Sequence, residues 1–409
     1  MNMDATLAFG LQRRRRALWL AALLALLLLS LTLAITLGPV RIAPQQAWWI
    51  TAHEIGGRLG MDWPRGDWTS AQWQIVWHVR LPRVLLAALA GASLALVGVA
   101  MQAMVRNPLA DPYLLGVSSG ASVGAVSVMA WGALSFMGEL ALSLGAFGGA
   151  LLACTAVYVL ACVNGRVLAT RLILGGVAIA YCLGGLTSLI VLTADQRELA
   201  NAILTWTLGS LAGTRWDELG LPAALLLVGA ALLLTQARAL NALLAGEESA
   251  ATLGVDTTRT RRWLFVLVSL VTGGLVALTG PIGFVGLIVP HVTRMLVGAE
   301  HRSVLPVAAL VGAIFLVWVD VLSRTTFAPA EVPVGVITSL LGGPFFVWML
   351  CRQSARERLL ACTHTSKPGN CAGTLLPATS CAMSACTWGT VKWSACWGPT
   401  AAASPPCCA

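Results

Sequence analysis

Few side chains in this 409-residue sequence could do chemistry, and none of them forms a catalytic set. His53 and Glu54 are adjacent, but the second histidine of an H-E-x-x-H zinc motif is missing. His291 and His301 lack metal-ligand spacing, and the frame contains no G-x-x-x-x-G-K-[ST] phosphate loop. We therefore predict no catalytic residue, no metal site and no cofactor in this chain. Any ATP and Mg²⁺ would be bound by a separate ATPase subunit.

One ionisable pair lies inside an apolar run. Asp320 is a carboxylate at membrane depth, and such groups are functional candidates by default. It would suit an ion-coupled secondary transporter, in which it would be the coupling acid. Arg324 follows four residues later, so a helical ion pair explains the same two residues equally well. An intramembrane enzyme is the less supported alternative, because no paired catalytic groups accompany this acid.

The elements that must position these residues are membrane helices. Hydrophobic residues make up 57% of the chain and charged residues 11%, with a mean hydropathy of +0.80. Soluble domains carry about 25% charged residues, and β-barrels show short alternating strands instead of long apolar runs. The sequence thus predicts an all-α, polytopic membrane protein with about ten transmembrane helices. The ten apolar segments are 17–38, 84–105, 114–132, 138–162, 172–193, 219–236, 262–280, 282–297, 304–322 and 333–351.

The arginines predict the topology. A polar lead, residues 1–16, ends in four arginines, and the following apolar run is too long for a signal peptide, so the N-terminus is expected in the cytoplasm. Ten spans place both termini there. The predicted cytoplasmic segments up to residue 302 hold 13 arginines, and the outside segments, with Arg324 included, hold eight. The net charge of +9 comes without a basic stripe interleaved with aromatics, so no nucleic-acid partner is predicted.

Two loops carry further signals. The first outside loop, 39–83, holds six tryptophans, which are typical of an interfacial belt. It also holds five arginines, which either meet an acidic partner or are solvated. The loop at 237–261 has amphipathic helical character, which fits a helix that docks in a partner's groove or one that lies on the membrane surface. Within the second span, Ala87, Gly91 and Ala95 recur every fourth residue, a spacing that lets helices approach closely.

Several longer motifs occur in a fixed order along residues 15–353. They are RLPR at 80–83, Q-x-x-x-R-NPLA-x-P-x-x-LG-x-x-x-GA at 102–121, GEESAATLGV at 246–255, GPIGFVGLIVPH at 280–291 and EVPVG at 331–335. This order resembles the FecCD-type permeases, the membrane subunits of type II ABC importers for iron–siderophores, haem and vitamin B12. The resemblance implies a vitamin B12 permease-like fold and an inner-membrane location. It also implies a homodimer or paralogous heterodimer, two ABC ATPase subunits and a periplasmic substrate-binding protein, with lipid around the helices.

The resemblance also assigns residues to roles. Arg80, Arg83 and Arg324 would form an outward basic surface that meets acidic residues of the binding protein. Ala169 and Thr170 would lie at the cytoplasmic gate, where many relatives have two hydroxyl residues, so Ala169 departs from the pattern. The segment that couples to the ATPase would contain Gly246, Glu247, Ala250, Leu253 and Gly254.

The last segment differs in composition from the predicted transmembrane domain, 17–353. Residues 354–409 contain seven of the eleven cysteines and both lysines, without C-x-x-C pairs or a long apolar run. If the reading frame shifts by one base, the codons for VKWSACWGPTAAASPPCCA permit GEMVGLLGPNGSGKSTLLR, which contains a phosphate-binding loop. We therefore interpret 354–409 as an out-of-frame reading into a downstream ATPase gene and expect it to be dispensable. A zinc or disulfide domain, or an unrelated low-complexity tail, is the alternative.

Overall fold

The computed structural model describes residues 3–61, 66–163, 166–193 and 197–364. The chain divides into two units, Met1–Trp348 and Met349–Ala409. Most of the predicted tail, from residue 365 onward, lies outside the described residues, so its interpretation stays a prediction. The description below concerns the first unit, apart from the end of the last helix.

The described chain is helical almost throughout. Its one strand pair is a hairpin of β1 (Cys162–Val163) and β2 (Arg166–Val167), in which Cys162 lies opposite Val167. The α-helices are α1 (Met3–Thr36), α2 (Pro44–Arg58), α3 (Ser70–Gln74), α4 (Leu81–Val105), α5 (Val117–Trp131), α6 (Ala141–Ala161), α7 (Ala169–Thr193), α8 (Arg197–Thr207), α9 (Gly220–Thr235), α10 (Ala237–Ala245), α11 (Glu247–Thr252), α12 (Thr257–Thr279), α13 (Val285–Val297), α14 (His301–Thr325) and α15 (Val334–His364).

The predicted all-α membrane architecture is confirmed. Eight helical stretches within the described residues are long and apolar enough to cross a membrane, and α5 and α13 are shorter apolar helices. Together they correspond to the ten apolar segments, so the predicted number of about ten holds as an approximation. A spanning helix needs roughly 20 apolar residues, which is why α5 and α13, with 15 and 13 residues, fall short by length.

The ends of the predicted segments differ from the structure in two places. Helix α1 begins at Met3, so the polar lead continues the first spanning helix, and α15 continues to His364, past the predicted boundary at residue 353. The first outside loop is also not irregular. It contains α2, which begins with a proline at its N-terminus, and α3, whose N-cap Thr69 forms a capping box with Gln72.

Helix α4 is the centre of the bundle and packs against α14, α13, α9 and α12. Its small residues meet backbone directly: a Cβ added to Gly91 would lie 2.2 Å from the carbonyl oxygen of Gly312 in α14. A Cβ added to Gly98 would lie 2.1 Å from the carbonyl oxygen of Gly286 in α13. Ala95, one turn from Gly91, is fully buried. The close helix approach predicted from the four-residue spacing is therefore confirmed.

Candidate coupling, docking and gate sites

The predicted coupling segment forms two short helices joined by a glycine. Gly246, between α10 and α11, has φ +116° and ψ 165°, and Gly254, after α11, has φ +77°. A residue with a Cβ is strained at both positive-φ positions. At the end of α11, Val255 N donates to the Ala250 carbonyl oxygen at 2.9 Å, which closes a Schellman-type turn around Gly254. The glycines thus fix the path of the segment.

Charged side chains tie α11 to the membrane helices. Glu247 Oε1 accepts a hydrogen bond from Arg261 Nη1 in α12 at 2.6 Å and lies 3.7 Å from Arg106 Nη2 at the end of α4. Arg261 is buried, so its bond to Glu247 carries more weight than a surface pair. These two ion pairs connect α11 to α4 and α12.

The two faces of the coupling segment differ sharply. Ala250 and Leu243 are buried, whereas the Leu253 side chain is 70% exposed. Asn241 in α10 accepts from the backbone N–H of His301 at 3.0 Å and so fixes α10 to the start of α14. The segment is anchored on one side and presents a large apolar residue on the other, as a docking element would.

The start of α4 and the end of α14 are joined by a buried ion network. Arg83 Nε lies 2.6 Å from Asp320 Oδ1, and Arg324 Nε lies 3.0 Å from Asp320 Oδ2. Asp320 is fully buried. Arg83 also donates to Glu331 Oε2 at 2.7 Å. The helical pair of Asp320 and Arg324 is confirmed, and the two guanidinium groups beside the buried carboxylate argue against Asp320 as an exchangeable ion-coupling acid.

Arg80 and Arg324 donate hydrogen bonds to the last carbonyl oxygens of the first spanning helix, α1. Arg80 Nη1 donates to the carbonyl oxygens of Ile35 at 2.7 Å and Thr36 at 3.1 Å, and Arg324 Nη2 donates to that of Ala34 at 3.1 Å. The last carbonyls of a helix have no partner within it, and cations are favoured there. The guanidinium groups therefore hold the C-terminus of α1 against α4 and α14.

Contrary to expectation, Arg80, Arg83 and Arg324 are not exposed on this chain, and their role in docking the binding protein stays a prediction. Their exposed fractions are 4%, 3% and 4%. The structure does bring Arg83 and Arg324 together, but around an internal acid. The reason is that Asp320 and the carbonyls of α1 offer buried acceptors, and a buried guanidinium group without such partners would be costly. Glu331, the one partner with a substantially exposed side chain (43%), was not assigned a role from the sequence.

Comparison with known proteins identifies the family. The model of the FecCD transport family matches residues 26–352. The chain belongs to this family. It is 46% identical over 69% of its length, and 74% of the relative's, to the cobalamin import system permease protein BtuC of Halobacterium salinarum. It is 44% identical, over 69% of its length and 85% of the relative's, to the hemin transport system permease protein HmuU of Yersinia pestis.

A solved structure supports the same assignment. It is titled as an inward-facing conformation of a metal-chelate type ABC transporter, and it matches with a TM-score of 0.69 and 31% identity. The match covers 81% of this chain and 98% of the other. This FecCD protein is therefore a multi-pass membrane permease of the ABC importer class, and its role is transport.

The two residues predicted to lie at the gate begin α7. Ala169 is half-buried and Thr170 is exposed, directly after the hairpin that ends at Val167. Leu168 N donates to the Ala161 carbonyl oxygen at 3.2 Å, so the hairpin turns the chain back onto α6. The position is compatible with a gate, and the role of both residues stays a prediction.

Sequence reasoning did not assign a role to a buried polar contact on the α4–α13 interface. Gln102 in α4 accepts a hydrogen bond from Arg294 in α13 and donates to the Gly286 carbonyl oxygen at 3.3 Å. Gln102 is 1% exposed. The available signal was an amide side chain within an apolar helix, since such groups must find partners in the membrane.

The loop between α4 and α5 contains a carboxylate with an altered pKa. Burial raises the pKa of Asp111 to about 6, although hydrogen bonds from the backbone N–H groups of Tyr113 and Phe284 oppose the shift. Tyr113 in turn accepts from the backbone N–H of Ile282 at 2.9 Å. Because the folded pKa exceeds the ordinary value of 3.8, ionised Asp111 destabilises the folded state. This cost is absent below the unfolded pKa, grows between the two values and is complete above about 6.

We expect Asp111→Asn to raise stability at alkaline pH. Asparagine can still accept from Tyr113 N at the 2.8 Å site but does not ionise. The gain at pH 8 should be at most ~3 kcal/mol, since one pKa unit corresponds to about 1.4 kcal/mol. Thermal unfolding of the detergent-purified protein at pH 5 and pH 8 measures it. A stability difference between variant and parent that does not grow from pH 5 to pH 8 would contradict the pKa.

Proposed function

We propose that this chain is the permease subunit of an ATP-driven importer for a metal chelate or a corrinoid: an iron–siderophore, haem or cobalamin. The observation that carries the proposal is that the chain is about equally identical to a cobalamin permease (46%) and to a hemin permease (44%). Both compounds are large chelated metal macrocycles. The chain's membrane would be the bacterial inner membrane, with both termini in the cytoplasm, which the arginine distribution favours.

ATP would be bound and hydrolysed by two ATPase subunits that dock on the segment of α10 and α11. Three observations support this: Leu253 is exposed, Ala250 is buried, and Glu247 is paired with Arg261. A partner bound to Leu253 would displace α11, and α12 would follow because Glu247 of α11 is paired with Arg261 of α12. The chain itself would need no cofactor.

The permease would work as a homodimer or as a heterodimer with a paralogue. Helix α7 supports this, because only 11% of its most apolar stretch is buried within the chain, whereas α4 is buried over most of its length. Ala169 and Thr170 begin α7 and would face the cytoplasmic gate between the two copies. With alanine at the first position, the gate would close by small-residue packing instead of by two hydroxyl groups.

On the outer side, a substrate-binding protein would dock by placing an acidic side chain against an arginine of the buried network, in place of that arginine's present partner. Arg83 is the arginine best placed for this, because its partner Glu331 is 43% exposed and could yield to an acid from the binding protein. Arg80 and Arg324 would then support the surface from beneath by holding α1.

Uptake into proteoliposomes tests the function. The permease would be reconstituted with the ATPase and binding protein encoded beside it, and radiolabelled cobalamin, haemin and a ferric siderophore offered singly. We expect one of the three to accumulate, with a strict need for ATP and for the binding protein. A catalytically inactive ATPase variant provides the control. Accumulation driven by an ion gradient without the ATPase would instead establish the secondary transporter.

A further inference from the structure

Three adjoining cavities lie along one exposed face of α12. One of about 410 Å³ lies between α9 and α12, and one of about 340 Å³ lies between α6 and α12. A third, of about 210 Å³, adjoins the first near the N-terminal end of α12, where Arg259 and Trp263 line both. Val266 and Leu270 line both of the larger cavities, so these form two grooves separated by a ridge. We call these the α9 groove and the α6 groove.

The same face has a graded chemistry along the helix. Arg259 and Arg262 are exposed near its start, and exposed Trp263, Val266 and Leu270 follow at helical spacing. Arg262 lines both grooves. From Arg262 to Leu270 the helix rises about 12 Å at about 1.5 Å per residue, which is close to half of the ~30 Å hydrocarbon core. The basic end, the tryptophan and the apolar grooves therefore match the headgroup, interface and acyl region of one leaflet.

We propose that an anionic phospholipid binds here, with its phosphate at Arg259 and Arg262 and one acyl chain in each groove. The charge favours an anionic headgroup, since guanidinium groups bind phosphate oxygens bidentately and basic pockets between membrane helices retain acidic lipids. Asp256, the acid nearest in sequence, accepts from the backbone N–H of Arg259 as the N-cap of α12. Its side chain is therefore committed to the helix terminus.

The position gives the lipid a role in coupling. Arg261, between the two lipid-binding arginines in sequence, holds Glu247 of α11 at 2.6 Å. A lipid that fixes the start of α12 also fixes the anchor of the coupling segment. The lipid would belong to the leaflet on the same side of the membrane as the coupling segment. The proposed lipid site requires only that the chain is a membrane protein. It would stand even if the proposed substrates were wrong.

Native mass spectrometry of the full chain in detergent tests the headgroup contact. The protein is delipidated and titrated with phosphatidylglycerol or with phosphatidylcholine of identical acyl chains. We expect phosphatidylglycerol to bind more tightly. Arg259→Gln combined with Arg262→Gln should weaken it about 30-fold, or about 2 kcal/mol at about 1.4 kcal/mol per tenfold change. Arg171→Gln combined with Arg302→Gln removes two exposed arginines elsewhere and should leave the affinity within about twofold.

A second arm tests the grooves. Val266→Trp places an indole on the ridge between them and should reduce bound lipid of either headgroup, whereas Leu322→Trp, at an exposed position of α14, should not. Equal retention of both lipids by the parent protein, or equal losses in the two arginine pairs, would overturn the proposal. Displacement of phosphatidylglycerol by millimolar inorganic phosphate would also overturn it, because the site would then bind a free anion.

Discussion

Replacing Asp320 with asparagine is expected to prevent most of the protein from folding stably. The change leaves Arg83 and Arg324 buried with one neutral acceptor in place of a carboxylate that lies within 3.0 Å of both. Removing one partner of a buried ion pair costs about 3–5 kcal/mol, a large share of the ~5–15 kcal/mol that stabilises a typical protein. The yield and melting temperature of a fluorescent fusion in membranes measure the loss.

Glu331→Gln is the matched control for this change. Glu331 contacts the same guanidinium group, at 2.7 Å, but its side chain is 43% exposed. Water can replace much of the interaction, so a loss under ~1 kcal/mol is expected. Similar melting temperatures for the two variants would show that burial does not set the cost, and the account of the network would fail.

Leu253→Asp is expected to abolish uptake while leaving the permease folded. The residue is 70% exposed, so the substitution disturbs no internal packing. In the proposed complex it would place a carboxylate in the apolar contact with the ATPase, where an unpaired charge is strongly disfavoured. We expect at least a tenfold drop in co-purified ATPase, by quantitative immunoblot, and uptake at background level.

Leu59→Asp provides the comparison for the coupling variant. Leu59 follows α2 and is 69% exposed, and the predicted topology places it on the opposite side of the membrane. The same chemical change there should leave ATPase binding and uptake unchanged. If Leu253→Asp retains full ATPase binding, α11 is not the docking element and the loop lies on the membrane surface instead.

Features that depend on local periodicity could be predicted from the sequence. Apolar runs predicted the spanning helices because a bilayer demands about 20 apolar residues in a row. The spacing of Ala87, Gly91 and Ala95 predicted the close approach of α4 because small residues recur on one helix face. The four-residue separation of Asp320 and Arg324 indicated an ion pair as one of two interpretations, and the structure shows that pair.

What the sequence did not reveal depends on distant partners. Arg83 and Asp320 are 237 positions apart, so no local pattern shows that they meet. The arginines of the first outside loop could therefore be read as solvated or as docking groups, and the structure buries Arg80 and Arg83. The helices of that loop were missed for a different reason: the tryptophans of α2 and α3 were attributed to an interfacial belt, although Pro44 and Thr69 are good helix-start residues.

The contact between Gly91 and Gly312 has a mechanical consequence. Two helices whose backbones touch cannot slide past each other without a collision, and the residues that meet here are both glycines. We expect α4 and α14 to behave as one rigid body throughout a transport cycle. We expect the opening and closing of a passage to involve instead the helices that are little buried within the chain, such as α7, whose most apolar stretch is only 11% buried.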